Sequence, residues 1–300
     1  MIKVGIPRSL FYYYDEKIWQ NFLNYLDIPY IISPVSNNEI QKNGVNIAGD
    51  EMCLALKNYL GHIDYLKDKC DYILIPRIDN YKINNQTCTN FLAAYDIVNN
   101  LHNIKILNYN IDIQNHETLK KGLIKIGKEL GFTKKDALYA YYYSAKEYKK
   151  YQKKLIKETN QSLNANKTKI LIVSHPYIIY DELIGKGIIK YLKKEDIEII
   201  YSDKFDKQKA LKASKTLAKD LYFLHAKENI GAINLVKDQI DGIIFLSAFP
   251  CAIDSLANEL VMRKIKIPYI NILIDDTSAF AGLETRLESF IDMLKEKKHG

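Results

Sequence analysis

Several familiar patterns are missing from this chain, and each absence narrows what it can be. No two of its four cysteines stand as a Cys-x-x-Cys pair, so neither a zinc ribbon nor a ferredoxin pattern applies. No run of about 18 apolar residues occurs, and no membrane span is expected. The opening residues, Met1-Ile-Lys-Val-Gly-Ile-Pro-Arg8, read as a strand too brief and too interrupted for a signal peptide. Gly-rich phosphate loops are absent, Walker A among them, so the chain is not expected to hydrolyse ATP itself. With 13 Gly and 7 Pro in 300 residues, and no low-complexity tract, order is expected over most of the length.

What remains is a globular composition, 47% apolar, with the cytoplasm as the expected location. In a reducing cytoplasm four cysteines point to metal, catalysis or burial rather than disulfides. The net charge of +7 is uneven. Lysines crowd residues 120–157, opposed there by Glu129, Asp136 and Glu147. This stretch reads as the solvated face of amphipathic helices. It lacks Arg, the usual base reader, so nucleic acid is not an expected partner. Its aromatics (Tyr139, Tyr141, Tyr142, Tyr143, Tyr148, Tyr151) fall near helical spacing and are expected to pack.

Apolar runs of strand length alternate with amphipathic stretches, the pattern of parallel βαβ units. The expected strands are Lys3–Pro7, Pro29–Ser33, Tyr72–Pro76 and Lys105–Tyr109, then Lys169–Ser174, Ile197–Tyr201, Gly242–Ser247 and Pro268–Ile274. Helices are expected between them, for example over Asp15–Leu26, Asp50–Leu66, Asp181–Leu192 and Ile253–Lys264. The two halves echo one another. Each opens with a strand and a Pro-containing turn, at Ile6-Pro7-Arg8 and Ser174-His175-Pro176, and each then reaches Tyr-Asp-Glu, at 14–16 and 180–182. Each third strand follows an Asp, Asp71 or Asp241, and leads to a cysteine, Cys88 or Cys251. Each fourth strand ends in Asp, at Asp112 and at Asp275-Asp276. The expectation is an α/β fold of two doubly wound parallel-sheet lobes related by internal duplication. The lobes would span 1–115 and 167–300, with a helical connector and linker over 116–166. The site is expected in the cleft between them, beyond the carboxyl ends of the strands.

Three cysteines share a position. Cys53 falls in a first helical turn behind Asp50, a good N-cap. Cys88 precedes a helical run, with Thr87 as a plausible cap. Cys251 lies between a strand and a helix, behind Pro250, which suits a first helical position. Unpaired N–H groups and the positive end of the helix dipole favour thiolate there, and they suit an anionic iron–sulfur cluster. Cys70, just before a strand, fits simple burial.

The series Asp50-Glu51-x-Cys53-x-x-x-Lys57, Gly61-His62, Asp71-Tyr-Ile-Leu-Ile-Pro-Arg77 … Cys88 and His175-Pro176-Tyr177-x-x-Tyr180-Asp181-Glu182 resembles a known family. Phe249-x-Cys251-x-x-Asp254-Ser255 and Asp275 … Ala281-Gly282-Leu283-x-Thr285-Arg286-Leu287-Glu288 extend the likeness over nearly the whole chain. The sequence is similar to the 2-hydroxyacyl-CoA dehydratase and benzoyl-CoA reductase superfamily, in its activase-related branch. The resemblance implies a 4Fe–4S cluster held by Cys53, Cys88 and Cys251 with one iron open. It also implies single electrons fed by an ATP-hydrolysing activator, a second dehydratase-like subunit as partner, and an acyl-CoA or other small molecule as substrate. The neighbours of the cysteines depart from the family pattern: Ala55, Thr89, Asn90, Pro250 and Ala252 replace its prolines, lysine and glycines.

Two further residues are candidates for cofactor binding. His175 can serve as a fourth metal ligand, in a cluster or a mixed zinc site, as a proton donor, or as a polar turn residue. Arg8, at the matching place in the first half, can bind an anion such as a thioester phosphate or form a surface ion pair. Asp254, Asp275 and Asp276 are expected to cap helices. The expected function is that of an iron–sulfur redox component of dehydratase-reductase type. The alternative is a non-catalytic two-lobed protein, either binding a small ligand or serving as an accessory subunit to an activator ATPase.

Overall fold

The structure is a computed structural model, and it describes residues 2–101, 103–219, 221–276 and 280–299. The chain forms two compact units. One comprises Met1–Gln152 and Tyr222–Leu224, the other Lys153–Leu221 and His225–Gly300. The residues read as a connector therefore divide, with 116–152 in the first unit and 153–166 in the second.

In the first unit the elements run β1 (Val4–Ile6), α1 (Tyr12–Tyr25), β2 (Tyr30–Ile32), α2 (Asn38–Ile47), α3 (Leu54–Leu66), β3 (Tyr72–Leu74), β4 (Arg77–Asn80), α4 (Thr89–Leu101), β5 (Ile106–Leu107), β6 (Asn110–Asp112), α5 (Leu119–Glu129) and the start of α6 (Lys134–Leu163). Four strands form a parallel sheet in the order β2-β1-β3-β5. Val4, Gly5 and Ile6 are all buried, as a central parallel strand covered on both faces requires. Beside the sheet Trp19, Phe22, Tyr59, Phe91 and Tyr109 make the core. Helices α2 and α3 touch backbone to backbone: a Cβ on Gly61 would stand 2.0 Å from the Ile40 carbonyl oxygen.

The second unit continues with the rest of α6, then β7 (Lys169–Val173), α7 (Pro176–Ile179), α8 (Lys186–Lys194), β8 (Glu198–Tyr201), α9 (Lys207–Leu217), α10 (Leu224–Val236), β9 (Gly242–Ala248), α11 (Ala252–Met262), β10 (Tyr269–Ile274) and α12 (Phe280–His299). Its parallel sheet has the order β10-β9-β7-β8. Counted from the second strand, both sheets run second, first, third, last. The crevice at which such sheets bind ligands lies between β1 and β3 in one unit and β7 and β9 in the other.

The eight expected strands are all present within a residue or two of their ends. The short parallel pair β4–β6 was not expected. A mixed α/β fold of parallel sheets is thus established. A shared strand order does not by itself establish a duplication, because doubly wound sheets of unrelated proteins also share one. Among the described residues no helix is long and apolar enough to cross a membrane.

The tyrosines of α6 are not uniformly packed. Tyr139 and Tyr142 are about half exposed, at 51% and 52%, and Tyr143 is exposed as well. Ala137, Ala140 and Ser144 take the buried stripe of the helix instead. Two of the three exposed rings lie beneath lysine ammonium groups, Lys135 over Tyr139 and Lys120 over Tyr142, and Tyr143 meets the Tyr25 ring at 5.3 Å.

Candidate functional site

The Asp that precedes each third strand braces its sheet. Asp71 Oδ2 accepts from the Lys3 N–H and Asp241 Oδ2 from the Lys169 N–H, both at 2.7 Å. In return the Asp71 N–H donates to the Lys3 carbonyl and the Asp241 N–H to the Lys169 carbonyl. These repeated aspartates are structural, and the expected site lies at the opposite, carboxyl ends of the strands.

In the first unit that edge holds Arg8, Ser33 and His62. The Arg8 N–H donates to Ser33 Oγ at 2.8 Å, and Arg8 Nε donates to the Ser33 carbonyl at 3.1 Å. Ser33 Oγ lies 2.9 Å from His62 Nδ1, and Ser36 Oγ lies 3.0 Å from His62 Nε2. His62 is fully buried. Burial, with the nearby Arg8 charge, lowers its pKa to about 3, so the imidazole is neutral at pH 7.

Cys53 and Cys88 lie at the starts of neighbouring helices. Cys53 is itself the N-cap of α3; Asp50, expected in that role, lies in the preceding turn. Cys88 stands immediately before α4. Thr87 does not cap α4 but donates its hydroxyl to the Ile78 carbonyl of β4. Asn90 Nδ2 donates to Cys53 Sγ at 3.3 Å, which joins the corner holding Cys88 to the one holding Cys53. Cys70 is apart from both. It packs against Gly5, donates to the Leu66 carbonyl, and burial pushes its pKa up to about 11.

In the second unit the edge holds Cys251, His175 and Asp254. Cys251 is the N-cap of α11, and its Sγ accepts the Asp254 N–H at 3.4 Å. Pro250 precedes that cap instead of opening the helix. The Asp254 carboxylate does not cap; its Oδ1 lies 3.0 Å from His175 Nε2. Burial works against ionisation of Asp254, yet the His175 charge and hydrogen bond prevail and hold its pKa below the usual value. An ionised carboxylate only accepts, so His175 Nε2 carries the proton. Tyr177 stacks on the His175 ring at 4.8 Å, and His225 meets it edge-on at 5.9 Å. His225 Nδ1 is held in turn by Glu228 Oε2 at 3.1 Å. Burial lowers the His225 pKa. Any cap by Asp275 or Asp276 would depend on residues 277–279, outside the described residues.

Among the described residues no three His, Cys, Asp or Glu side chains gather so as to hold a metal ion. Each of the three sulfurs stands at a helix start, which suits cluster ligation taken singly, and Cys53 and Cys251 have an N–H donor directed at the sulfur. Sequence reasoning met His62 only as part of a family motif, without a role, and did not single out His225 or Glu228; their partners become visible only in the fold.

A family model described as CoA enzyme activase uncharacterised domain (DUF2229) matches residues 3–205. The chain belongs to this family. The matched region includes Arg8, Cys53, Cys88 and His175 and stops before Cys251 and Asp254. No curated protein sequence matches the chain. Among solved structures, a Zn(II)-bound mutant variant of AdcAII from Streptococcus pneumoniae aligns at 10% identity and TM-score 0.30, over 99% of this chain and 98% of that one. A mutant laminin-binding adhesin, Lmb, from Streptococcus agalactiae aligns at 13% identity and TM-score 0.28, over 98% and 99%. ZnuA aligns at 11% identity and TM-score 0.27, over 98% of each chain. Likeness at this level says nothing about ligand or activity.

Proposed function

We propose that the chain is a cluster-carrying component of a CoA-enzyme activation system, with Cys53 and Cys88 of the first unit and Cys251 of the second as ligands of a 4Fe–4S cluster. One observation carries the reading. Cys53 and Cys251 each occupy the N-cap of a helix, with an N–H directed at the sulfur, from Asn90 in one case and Asp254 in the other. Such positions favour thiolate and stabilise the negative charge of a cluster. Cys88, ahead of α4, completes the set, while the raised pKa of Cys70 argues against its being a ligand. When bound, the cluster supplies one-electron transfer and an open iron. The residues of the chain hold it, direct N–H groups at its ligands and, through Asp254, fix the orientation of His175. Family membership supports a partner enzyme; in this reading the partner is an ATP-hydrolysing activator or a second dehydratase-like subunit, and the substrate an acyl-CoA or other small molecule.

The test is anaerobic reconstitution with iron and sulfide. The expected outcome is about four irons and four sulfides per chain. Binding should be lost in Cys53→Ser, Cys88→Ser and Cys251→Ser and retained in Cys70→Ser. A colourless, iron-free protein after reconstitution overturns the reading.

A further inference from the structure

Among the described residues, the carboxyl edge of the first sheet holds a cation with no paired carboxylate and an amide with no hydrogen-bond partner. Ser33 fixes Arg8 through both its backbone N–H and its Nε, and the guanidinium carbon lies 5.6 Å from the Tyr12 ring centre. Among the described residues no carboxylate pairs with Arg8, and its two terminal nitrogens make no hydrogen bond. One turn before His62 on α3 stands Asn58. It is fully buried, yet neither its Oδ1 nor its Nδ2 has a hydrogen-bond partner among the described residues.

The placement of Asn58 follows from its helix. Positions 55, 58 and 62 share one face of α3 at helical spacing. The Ala55 carbonyl accepts from Ser9 Oγ at 3.5 Å, and His62 meets Ser33 and Ser36. Asn58 therefore lies between two anchors of α3, one to Ser9 after β1 and one to Ser33 and Ser36 after β2, and Arg8 is held on that same Ser33. An orphaned buried amide costs stability unless something satisfies it. A neutral His62 adds no second positive charge.

We propose that Arg8 and Asn58 form an oxyanion-binding site at the carboxyl edge of the first sheet. It takes the carboxylate or phosphate group of a small molecule, with the guanidinium fork supplying charge and two parallel donors. The inference is independent of the cluster, because every residue in it belongs to the first unit, so iron-free protein serves for the test.

Titration calorimetry of the iron-free full chain with inorganic phosphate, acetate and coenzyme A is expected to give saturable binding of at least one of them. Tightest binding by acetate marks a carboxylate ligand, by phosphate a small phosphate ester, and by coenzyme A a phosphate of that cofactor. Arg8→Gln should weaken that binding roughly 10- to 100-fold, the scale of a lost charge-assisted hydrogen bond. Arg8→Lys should restore only part of it, since an ammonium lacks the planar fork. Asn58→Leu separates a ligand-binding amide from a merely buried one. It should raise the Tm of the anion-free protein by removing two unsatisfied polar atoms, and it should abolish most of the Tm gain that the anion gives. Two results overturn the proposal. One is the absence of saturable binding of all three probes to the unmutated chain. The other is unchanged anion binding in Asn58→Leu, which would assign the amide to a buried water.

Discussion

The carboxyl edges of the two sheets use one device and end in opposite chemistry. In the first unit the N–H after β1 donates to the Ser33 hydroxyl, which meets His62 on α3. In the second the Ser174 N–H after β7 donates to the Ser202 hydroxyl, which lies 2.8 Å from Asn229 Oδ1 on α10. Each serine bridges two strand ends and a helix, so the polar backbone at the rim is satisfied without water. Beyond that bridge the edges diverge. The first presents a guanidinium beside a neutral imidazole. The second holds two carboxylates, the buried Asp254 and the half-buried Glu228, each against a histidine. The doubly wound frame fixes where chemistry can be placed, and the few residues that follow each strand decide its sign.

The sharpest way to break this contrast is Asp254→Ala. The substitution leaves His175 buried without the carboxylate that holds it. Leaving a buried donor without its partner costs about 1–3 kcal/mol. Urea denaturation at pH 7, followed by far-UV circular dichroism, should show a loss of that size. The sign with pH is fixed too. The Asp254 pKa is depressed below its ordinary 3.8, so its contribution is complete above that value and is lost as pH falls through the folded-state pKa. Arg8→Gln, at the half-buried counterpart, loses one hydrogen bond to a carbonyl and should cost only about 1 kcal/mol of stability. Equal costs at the two edges would erase the distinction drawn between them.

A second measurement uses acid. The His62 pKa falls from 6.5 to about 3 on folding. A depressed folded-state value means that the unfolded chain binds the extra proton first. The contribution of His62 is therefore complete above pH 6.5 and is lost as pH drops from there towards 3. At pH 5 the 1.5-unit gap from the ordinary value costs about 2 kcal/mol. The chain has one tryptophan, Trp19, buried in the first unit and donating to the Tyr109 hydroxyl, so its fluorescence reads this unit. His62→Gln should flatten the dependence between pH 6.5 and 4. An unchanged slope in that variant would remove His62 as its source.

Much of the frame was legible before the fold was known, because buried parallel strands must be short apolar runs ended by Pro, Asp or Gly. Strands β4 and β6 escaped notice for the same reason: Arg77-Ile-Asp-Asn and Asn110-Ile-Asp carry too few apolar residues to signal a strand. The helix-start placement of Cys53, Cys88 and Cys251 was also readable, though the caps were not. Asp50 and Thr87 are good cap residues that the local turns use otherwise, and Cys53 and Cys251 stand at the caps themselves. Asp254 resembled a cap because it lies in a first turn; its partner His175 is 79 residues away, and no local pattern reveals that. His62 and Asn58 are hidden for a related reason. A polar residue on the inner face of an apolar helix has no local signature, and its meaning depends on Ser33, Ser36 and Arg8, which arrive from other segments.

A finer measurement separates the two causes of the His62 shift from its hydrogen bonds. Ser36→Ala removes the hydroxyl 3.0 Å from Nε2 while Ser33 still holds Nδ1. One neutral hydrogen bond contributes about 1 kcal/mol, so urea denaturation at pH 7 should show a loss near that value. The acid dependence should not change. Burial drives the His62 pKa down first and the Arg8 charge second, and Ser36→Ala alters neither. Parallel stability curves for Ser36→Ala and the unmutated chain between pH 7 and 5 are the expected result. Converging curves would mean that the serine hydroxyls, rather than desolvation, keep the ring neutral, and the contrast between the two edges would then rest on hydrogen bonding instead of charge burial.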